Sequence, residues 1–268
     1  PSHKLIILSA TRSGSSFLCR RLWIDGIGKP MEYLNPLHLQ SLQRRFNLPM
    51  KAKFWCDKPK KRLTTSLHAI SRWRQANDWF SLKLQPIQLK PWLSRHEQPE
   101  KLVNETLSDW HVLPLLRKNW YEQLASLIIS RATGSYDFGL AYTHADSMAC
   151  QGSLIAPERL KKAINELSRN TESILNWLDQ HPGHRPLWME EILEWDALTW
   201  QKLLPTYLPS LKNQGQETLI QGLGTTPLIR RQDPFAQAKA EIQHELTKAL
   251  KNEGSARPPS RLEKLINS

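Results

Sequence analysis

The chain lacks the long apolar runs that mark membrane-spanning proteins. No stretch approaches the roughly 18–20 consecutive apolar residues that a bilayer requires, and residues 1–4 lack the basic-then-apolar layout of a signal peptide. Cysteine is scarce as well, with three residues far apart and no C-x-x-C spacing, which argues against a disulfide framework or a zinc site. We therefore expect a globular, cytoplasmic protein with reduced thiols at Cys19, Cys56 and Cys150.

Sequence motifs for metal binding and for ordinary ATP hydrolysis are also missing. The nine histidines form neither an H-x-x-x-H nor an H-E-x-x-H pattern, so we expect a site that works without metal. No G-x-x-x-x-G-K-[ST] motif occurs. The lysine of that motif, which would contact a transferred phosphoryl group, therefore has no counterpart in this chain. These absences argue against an ordinary ATPase.

The overall composition favours one globular unit that attracts anions. A chain of 268 residues with 40% apolar residues can close a substantial core, and we interpret residues 1–268 as a single domain with a loosely held tail over 252–268. The net charge of +12 attracts nucleotides, sulfated or phosphorylated ligands, acidic lipid surfaces or nucleic acid, and its sign does not choose among them. The eleven tryptophans suit core packing or stacking on sugar rings.

Apolar patterning predicts strands that alternate with helices along most of the chain. The predicted strands are 3–8, 79–85, 111–116 and 187–193, and Pro114 either argues against the third of them or places it near a sheet edge. The predicted helices are 17–24, one capped by Asn119 and ended by Gly134, one from Pro157 to Pro182, and a final one over 235–250. We expect a three-layer α/β/α fold with a central, mostly parallel sheet.

The first strand runs directly into a small polar loop, Thr11–Ser16, which precedes the first helix. Backbone amides at such a loop, together with serine hydroxyls and the positive end of a helix, can hold a phosphate group. Arg12 is the cation inside this loop. The loop alone also fits a solvent-exposed Ser/Gly turn.

Three segments in this order resemble the bacterial trehalose 2-sulfotransferase family. They are Ala10–Ser16 after a strand, Gly28–Leu34 after the first helix, and Leu115–Asn119 followed by Gln123–Leu127 and Ala132–Gly134. The likeness covers residues 4–34 and 80–134, and continues faintly through 188–191 and 226–233. It implies a sulfotransferase that uses 3′-phosphoadenosine 5′-phosphosulfate (PAPS) as the sulfuryl donor.

The resemblance assigns roles to individual residues of this chain. It implies that Arg117 and Ser126 hold the 3′-phosphate, and an arginine at a strand end can converge with a serine two helical turns later. It implies that Glu32 is the general base, since a sugar hydroxyl is a weak nucleophile that a carboxylate can deprotonate. Arg12 would also stabilise the departing phosphate. The residues implied to bind the 5′-phosphosulfate are Thr11, Arg12, Ser13, Gly14, Ser15 and Ser16.

The same likeness implies roles for two further basic residues, and for each of them a surface position is an open alternative. Lys83 would lie near the sulfuryl group or the acceptor, or it faces solvent from its strand. Arg231 would belong to a late basic loop that closes over the nucleotide, or to a surface basic pair with Arg230. The basic run 58–62 fits a wall for an acidic acceptor, a peripheral membrane contact, or a solvated face.

The acceptor is less well defined than the donor. The family's acceptor-side segments match poorly at residues 35–79 and 86–110, so we expect a carbohydrate or glycolipid acceptor without specifying trehalose. The likeness is consistent with a homodimer, and we expect no nucleic-acid partner. Two alternatives stay open: a nucleotide-dependent kinase that uses the same loop, and a non-catalytic protein that binds anions or nucleic acid.

Overall fold

A five-stranded sheet forms the centre of the protein in a computed structural model that describes residues 1–35, 59–93, 105, 107–133, 157–212, 217–226, 236–252 and 256–268. The strands are β1 (His3–Ser9), β2 (Gln75–Ala76), β3 (Trp79–Leu84), β4 (His111–Leu116) and β5 (Leu187–Trp188). Their order across the sheet is β2-β3-β1-β4-β5. All neighbouring pairs are parallel except β2 with β3.

Helices follow most strands in the chain. They are α1 (Ser15–Ile24), α2 (Pro59–Arg74), α3 (Pro86–Leu93), α4 (Trp120–Thr133), α5 (Pro157–Gln180), α6 (Met189–Glu194), α7 (Ala197–Tyr207), α8 (Glu217–Gly222), α9 (Ala236–Asn252) and α10 (Ser260–Asn267). At 24 residues, α5 is the longest of these helices, as its apolar periodicity predicts. Within the described ranges, none of the helices is long and apolar enough to cross a membrane.

Two hydrophobic cores lie on opposite faces of the sheet. Side chains of β1 alternate between them, because successive residues of a strand point to opposite faces. Ile6 and Leu8 pack in one core with residues of α2, α4 and α5, whereas Leu5 and Ile7 pack in the other with residues of α1 and α7. Helices therefore cover both faces, which confirms the predicted three-layer α/β/α fold with a mostly parallel sheet.

The strand order places β1 where the direction of chain winding changes. The chain passes from β1 to β3 on one side and then to β4 on the other side of β1. Open α/β sheets bind ligands at such a switch point, outside the carboxyl ends of the strands. Ser9, Leu84 and Leu116 end the three central strands at this edge.

Pro114 is accommodated because β4 has little pairing on its outer side. There β5 contacts β4 only through the pairs of Leu115 with Leu187 and Leu116 with Trp188. Pro114 is opposite Leu8 on the inner side, so β4 is the second strand from the edge. The position matches the known preference of proline for strands near an edge.

The predicted fourth strand over 187–193 is wrong beyond its first two residues. Only Leu187 and Trp188 are in a strand, and α6 begins at Met189. Met189 and Ile192 are buried three residues apart while Leu193 is 44% exposed, which is a helical rather than an alternating pattern. Because Met189 and Ile192 are buried on one face of a helix, the chain continues from Met189 as α6 and not as a strand.

The predicted last helix is present, but it is not the last element. It spans Ala236–Asn252, and α10 follows at Ser260–Asn267. Leu262 of α10 is buried in the core, and Arg261 forms ion pairs with Glu172 and Asp179 of α5. Helix α10 therefore contacts both the core and α5.

Candidate functional site

The loop between β1 and α1 has an unusual backbone that presents the start of the helix. Arg12 and Gly14 both have positive φ, 61° and 84°, in the left-handed region. The Ser13 amide donates to the Ala10 carbonyl at 3.3 Å, which closes the turn. Gly14 is the N-cap of α1 and has no side chain, so no capping side chain competes with an anion at the helix start.

Gly14 is required by this geometry, and Gly14→Ala should weaken both the fold and the loop. An added Cβ would lie 2.6 Å from Met189 Sδ, and the positive φ would be strained for alanine. We expect a loss of about 1–2 kcal/mol in the free energy of unfolding, measured in urea. Gly183→Ala is the matched control, because no atom lies within 4 Å of its added Cβ. Equal stability of the two variants would contradict this account.

Thr11 fastens the loop to three neighbouring elements. Its carbonyl accepts from Gln123 Nε2 of α4 at 2.7 Å. Its hydroxyl lies 3.1 Å from Gln85 Oε1, after β3, and 3.4 Å from Glu166 Oε1 of α5. Glu166 is itself paired with Arg131 of α4. Thr11 therefore acts here as a structural anchor, while its predicted contact with a donor stays a prediction.

Arg12 contacts the helix that follows β4. Its Nε donates to Ser126 Oγ at 3.0 Å. Two residues assigned to different phosphates of the donor are thus joined directly. Next to them, Ser13 is fully buried, and its hydroxyl has no hydrogen-bond partner in the described part of the chain. An unsatisfied buried hydroxyl next to a helix start is a polar group available to a ligand.

Glu32 is held beside β3 by backbone pairing. Met31 forms an isolated parallel bridge with Leu82, and the Lys83 amide donates to the Met31 carbonyl at 3.0 Å. The following Tyr33 is fully buried and stacks on Phe80 with ring centroids 5.9 Å apart. This pairing extends the sheet edge and fixes the carboxylate near the end of β3.

The Glu32 carboxylate receives four donors. Oε1 lies 2.7 Å from Lys83 Nζ and 3.0 Å from Gln85 Nε2. Oε2 lies 2.7 Å from both Asn35 Nδ2 and Gln88 Nε2. A carboxylate offers about four lone-pair positions, so this one is fully satisfied. Lys83 is also 3.5 Å from Ser16 Oγ, which brings the carboxylate, the lysine and the phosphate-type loop together.

These donors decide the charge of Glu32. Burial pushes its pKa upward, but the charge of Lys83 and hydrogen bonds from Lys83, Asn35 and Gln88 outweigh burial and lower the pKa below its ordinary value. Glu32 is therefore ionised at neutral pH. Because the folded pKa is lowered, this contribution to stability is present above the unfolded pKa and is lost as pH falls through the lowered value.

Arg117 lies directly after β4, at the strand end where the sequence placed it, and its partners are acidic side chains. At the end of β4 it pairs with Glu122 at 3.1 Å and with Glu190 at 3.4 Å. No hydrogen bond joins it to Ser126, although both residues are described, and Ser126 accepts from Arg12 instead. The combined role of Arg117 and Ser126 at a 3′-phosphate stays a prediction.

Glu190 is a site residue that the sequence analysis missed. Its carboxylate accepts from the Lys118 amide at 3.0 Å and from the Asn119 amide at 3.2 Å. Burial raises its pKa, but these amides, its own amide and Arg117 outweigh burial and lower it. Asn119 caps α4 as predicted, with its Oδ1 accepting from the Glu122 amide at 3.2 Å.

Of the remaining predicted site residues, Ser15 and Ser16 are described by the structure and Arg231 is not. Ser15 is buried at the start of α1 and Ser16 is exposed beside it. Arg231 lies outside the described residues. In the described ranges, no group of three or more histidine, cysteine, aspartate or glutamate side chains is placed to hold a metal ion, and independence from metal stays a prediction.

Comparison with known proteins adds no relatives to this description. No protein-family model matches the chain, and no curated protein matches it. The likeness to sulfotransferases therefore rests on the short sequence segments alone.

Proposed function

We propose that the protein transfers the sulfuryl group of PAPS to a hydroxyl group of a carbohydrate or glycolipid. The observation that carries the proposal is the meeting of an ionised carboxylate, Glu32, with a phosphate-type loop through Lys83 and Ser16. This meeting occurs at the carboxyl edge of a parallel sheet, where α/β proteins bind nucleotides. We also propose a cytoplasmic location. A homodimer and a peripheral membrane contact stay predictions.

On the donor side, the loop amides and the start of α1 would bind the 5′-phosphosulfate. Left-handed geometry at Arg12 and Gly14 supports this role, because turns of this kind point successive amides toward one anion. Ser13 and Ser16 would add hydroxyl donors. Arg12 would stabilise the charge that develops on the departing phosphate oxygen.

On the acceptor side, Glu32 would act as the general base. The acceptor oxygen attacks sulfur and forms the new S–O bond, while the bond from sulfur to the phosphate oxygen breaks. The electron pair of that bond leaves with adenosine 3′,5′-bisphosphate, and the hydroxyl proton moves to Glu32. Since all four positions on the carboxylate are occupied, the hydroxyl must replace one donor. Lys83, which already reaches toward Ser16, is the donor best placed to move toward the sulfuryl group.

The surroundings of Glu32 support an acceptor with an apolar face. Met31, which precedes Glu32, is 50% exposed, and Ile87, between two glutamines that bind Glu32, is 46% exposed. Exposed apolar residues in the segments that carry Glu32 and its glutamine partners would suit a sugar ring or a lipid-linked sugar, which present both polar and apolar surface.

The donor is tested by calorimetric titration with adenosine 3′,5′-bisphosphate and with ADP, without added metal. We expect the bisphosphate to bind at least tenfold more tightly than ADP, a difference of about 1.4 kcal/mol, because only the former carries a 3′-phosphate. Ser126→Ala should weaken the bisphosphate more than AMP, whereas Ser130→Ala, on the same helix with its hydroxyl bonded to the Leu127 carbonyl, should not. Arg117→Ala tests the other predicted contact in the same way.

The same titration separates the alternatives. Magnesium-dependent binding of ATP with no preference for the bisphosphate would favour a kinase and refute the donor. Salt-sensitive binding of arbitrary DNA, with no nucleotide binding, would favour a nucleic-acid binder.

A further inference from the structure

We propose that Gln85 and Gln88 are positioning residues for Glu32, whose side-chain amides hold its carboxylate in place and join it to the phosphate-type loop through Thr11. The proposal deepens the proposed function, because it explains how a base on the acceptor side is aligned with a loop on the donor side. Neither glutamine belongs to a motif of the sequence analysis.

The orientation of the Gln88 amide is determined by the start of α3. Gln88 Oε1 accepts from the backbone amide of Gln85 at 3.2 Å. Gln85 is the residue just before α3, which begins at Pro86. This is the reciprocal half of a capping box, in which the third helical residue reaches back to the N-cap amide. With its oxygen used there, the Gln88 amide group can face Glu32 only with N–H, and it does so at 2.7 Å. Gln88 is 5% exposed, so this geometry is protected from water.

The orientation of the Gln85 amide is determined by the phosphate-type loop. Its Oε1 accepts from the Thr11 hydroxyl at 3.1 Å, and its Nε2 donates to Glu32 Oε1 at 3.0 Å. Gln123 holds the Thr11 carbonyl from the other side. A continuous chain of hydrogen bonds therefore leads from α4 through the loop to the carboxylate, and a shift of the loop on ligand binding would move the base with it.

The charged and titratable groups around Glu32 are few in the described part of the chain. Lys83 contacts it from β3, and the charge of Glu32 also acts on the buried Cys19 thiol of α1. Burial raises the pKa of Cys19 to about 12, so this thiol stays neutral near pH 7. Loss of a neutral N–H donor from Gln88 or Gln85 should therefore leave Lys83 as the main group that keeps Glu32 ionised.

The test is a carbon-detected NMR titration of the Glu32 carboxyl group in the free protein. Gln88→Met and Gln85→Met keep the side-chain length and remove the donor, so both should shift the Glu32 titration to higher pH. Gln201→Met is the control: it is the same substitution at a glutamine of α7 that lies outside this chain of hydrogen bonds, where Nε2 donates to the Gln221 carbonyl at 2.7 Å, and an unchanged titration is expected. If loss of the cap unfolds Gln88→Met, Gln85→Met carries the test, because the cap uses the backbone amide of Gln85 and not its side chain.

The outcomes separate this inference from the proposed function. Upward shifts in the Gln85 and Gln88 variants, absent in Gln201→Met, support the positioning role even if the wild type fails to bind adenosine 3′,5′-bisphosphate. Unchanged titration in folded Gln85 and Gln88 variants overturns it, even if the bisphosphate binds. Addition of the bisphosphate should also perturb the Glu32 signal in wild type but less in Gln85→Met, and an equal perturbation in both would refute the link through Thr11.

Discussion

Replacement of Glu32 by Gln is expected to reduce turnover by roughly 10²–10⁴-fold while the affinity for adenosine 3′,5′-bisphosphate stays close to wild type. The amide keeps the size of the side chain but cannot accept the hydroxyl proton. Its donors are also affected, because one of the two oxygens that receive Lys83, Gln85, Asn35 and Gln88 becomes an NH₂ group. Turnover is measured as bisphosphate release from PAPS, with a panel of sugars as acceptors.

The control for this experiment is Glu172→Gln. Glu172 is a partly exposed glutamate of α5 whose ion-pair partner is Arg261 of α10, so the change removes a carboxylate elsewhere in the protein. It should leave both turnover and nucleotide affinity unchanged. If Glu32→Gln turns over at the wild-type rate, Glu32 is not the base. A large loss of bisphosphate affinity would instead show that the carboxylate acts mainly by holding Lys83 near the loop.

The central strands could be predicted because their burial is recorded in local composition. The run Leu5–Leu8 is buried on both faces of the sheet, and such strands appear as continuous apolar segments. The helix cap at Asn119 is equally local, since it depends on Glu122 three residues later. Features that depend only on neighbouring residues of the chain could thus be predicted from the sequence.

Short elements were harder to predict because their signals are weak. The hairpin of β2 and β3 turns at Asn77 and Asp78, both with positive φ, which is the geometry of a tight two-residue turn. Asparagine and aspartate tolerate this region, yet the dipeptide alone also occurs in ordinary loops. For residues 187–193, apolar content was compatible with strand or helix, and packing against the sheet decided for α6.

At the site, too, local features could be predicted from the sequence, whereas contacts between distant residues could not. Composition indicated the loop at Thr11–Ser16, and the likeness indicated Glu32, but neither showed which side chains meet. Gln85 and Gln88 contact Glu32 across more than fifty positions of the chain, and Arg12 meets Ser126 across 114 positions. Glutamine has no strong positional signature, so only the folded arrangement identifies it as a partner of the carboxylate.

The ion pair of Arg21 and Asp25 at the end of α1 should have the largest effect on stability of any single contact described. The guanidinium binds the carboxylate through two bonds of 2.9 and 2.5 Å, and both side chains are almost fully buried. Arg21 also donates to the Thr226 carbonyl at 2.6 Å, and Asp25 accepts from the Gly224 amide at 3.2 Å. The pair therefore fastens the segment after α8 to the end of α1.

Asp25→Ala should lower the free energy of unfolding by about 3–5 kcal/mol, because it leaves a buried guanidinium without its counter-charge. At about 2–4 °C per kcal/mol, the melting temperature should fall by about 6–20 °C. Urea unfolding and thermal melting measure both quantities. Asp109→Ala removes one partner of the exposed pair with Lys4 and is the matched control, with an expected loss of at most about 1 kcal/mol.

A double variant distinguishes the cost of an unpaired charge from the value of the pair itself. Arg21→Met combined with Asp25→Leu removes both charges and keeps apolar volume in the same space, so it should recover a large part of the stability that Asp25→Ala loses. If the double variant is as unstable as Asp25→Ala, the bonds to Thr226 and Gly224 are the important contacts. If the free energies of unfolding of Asp25→Ala and Asp109→Ala differ by less than about 1 kcal/mol, Arg21 is stabilised by water or by another partner. The segment after α8 would then not depend on this ion pair.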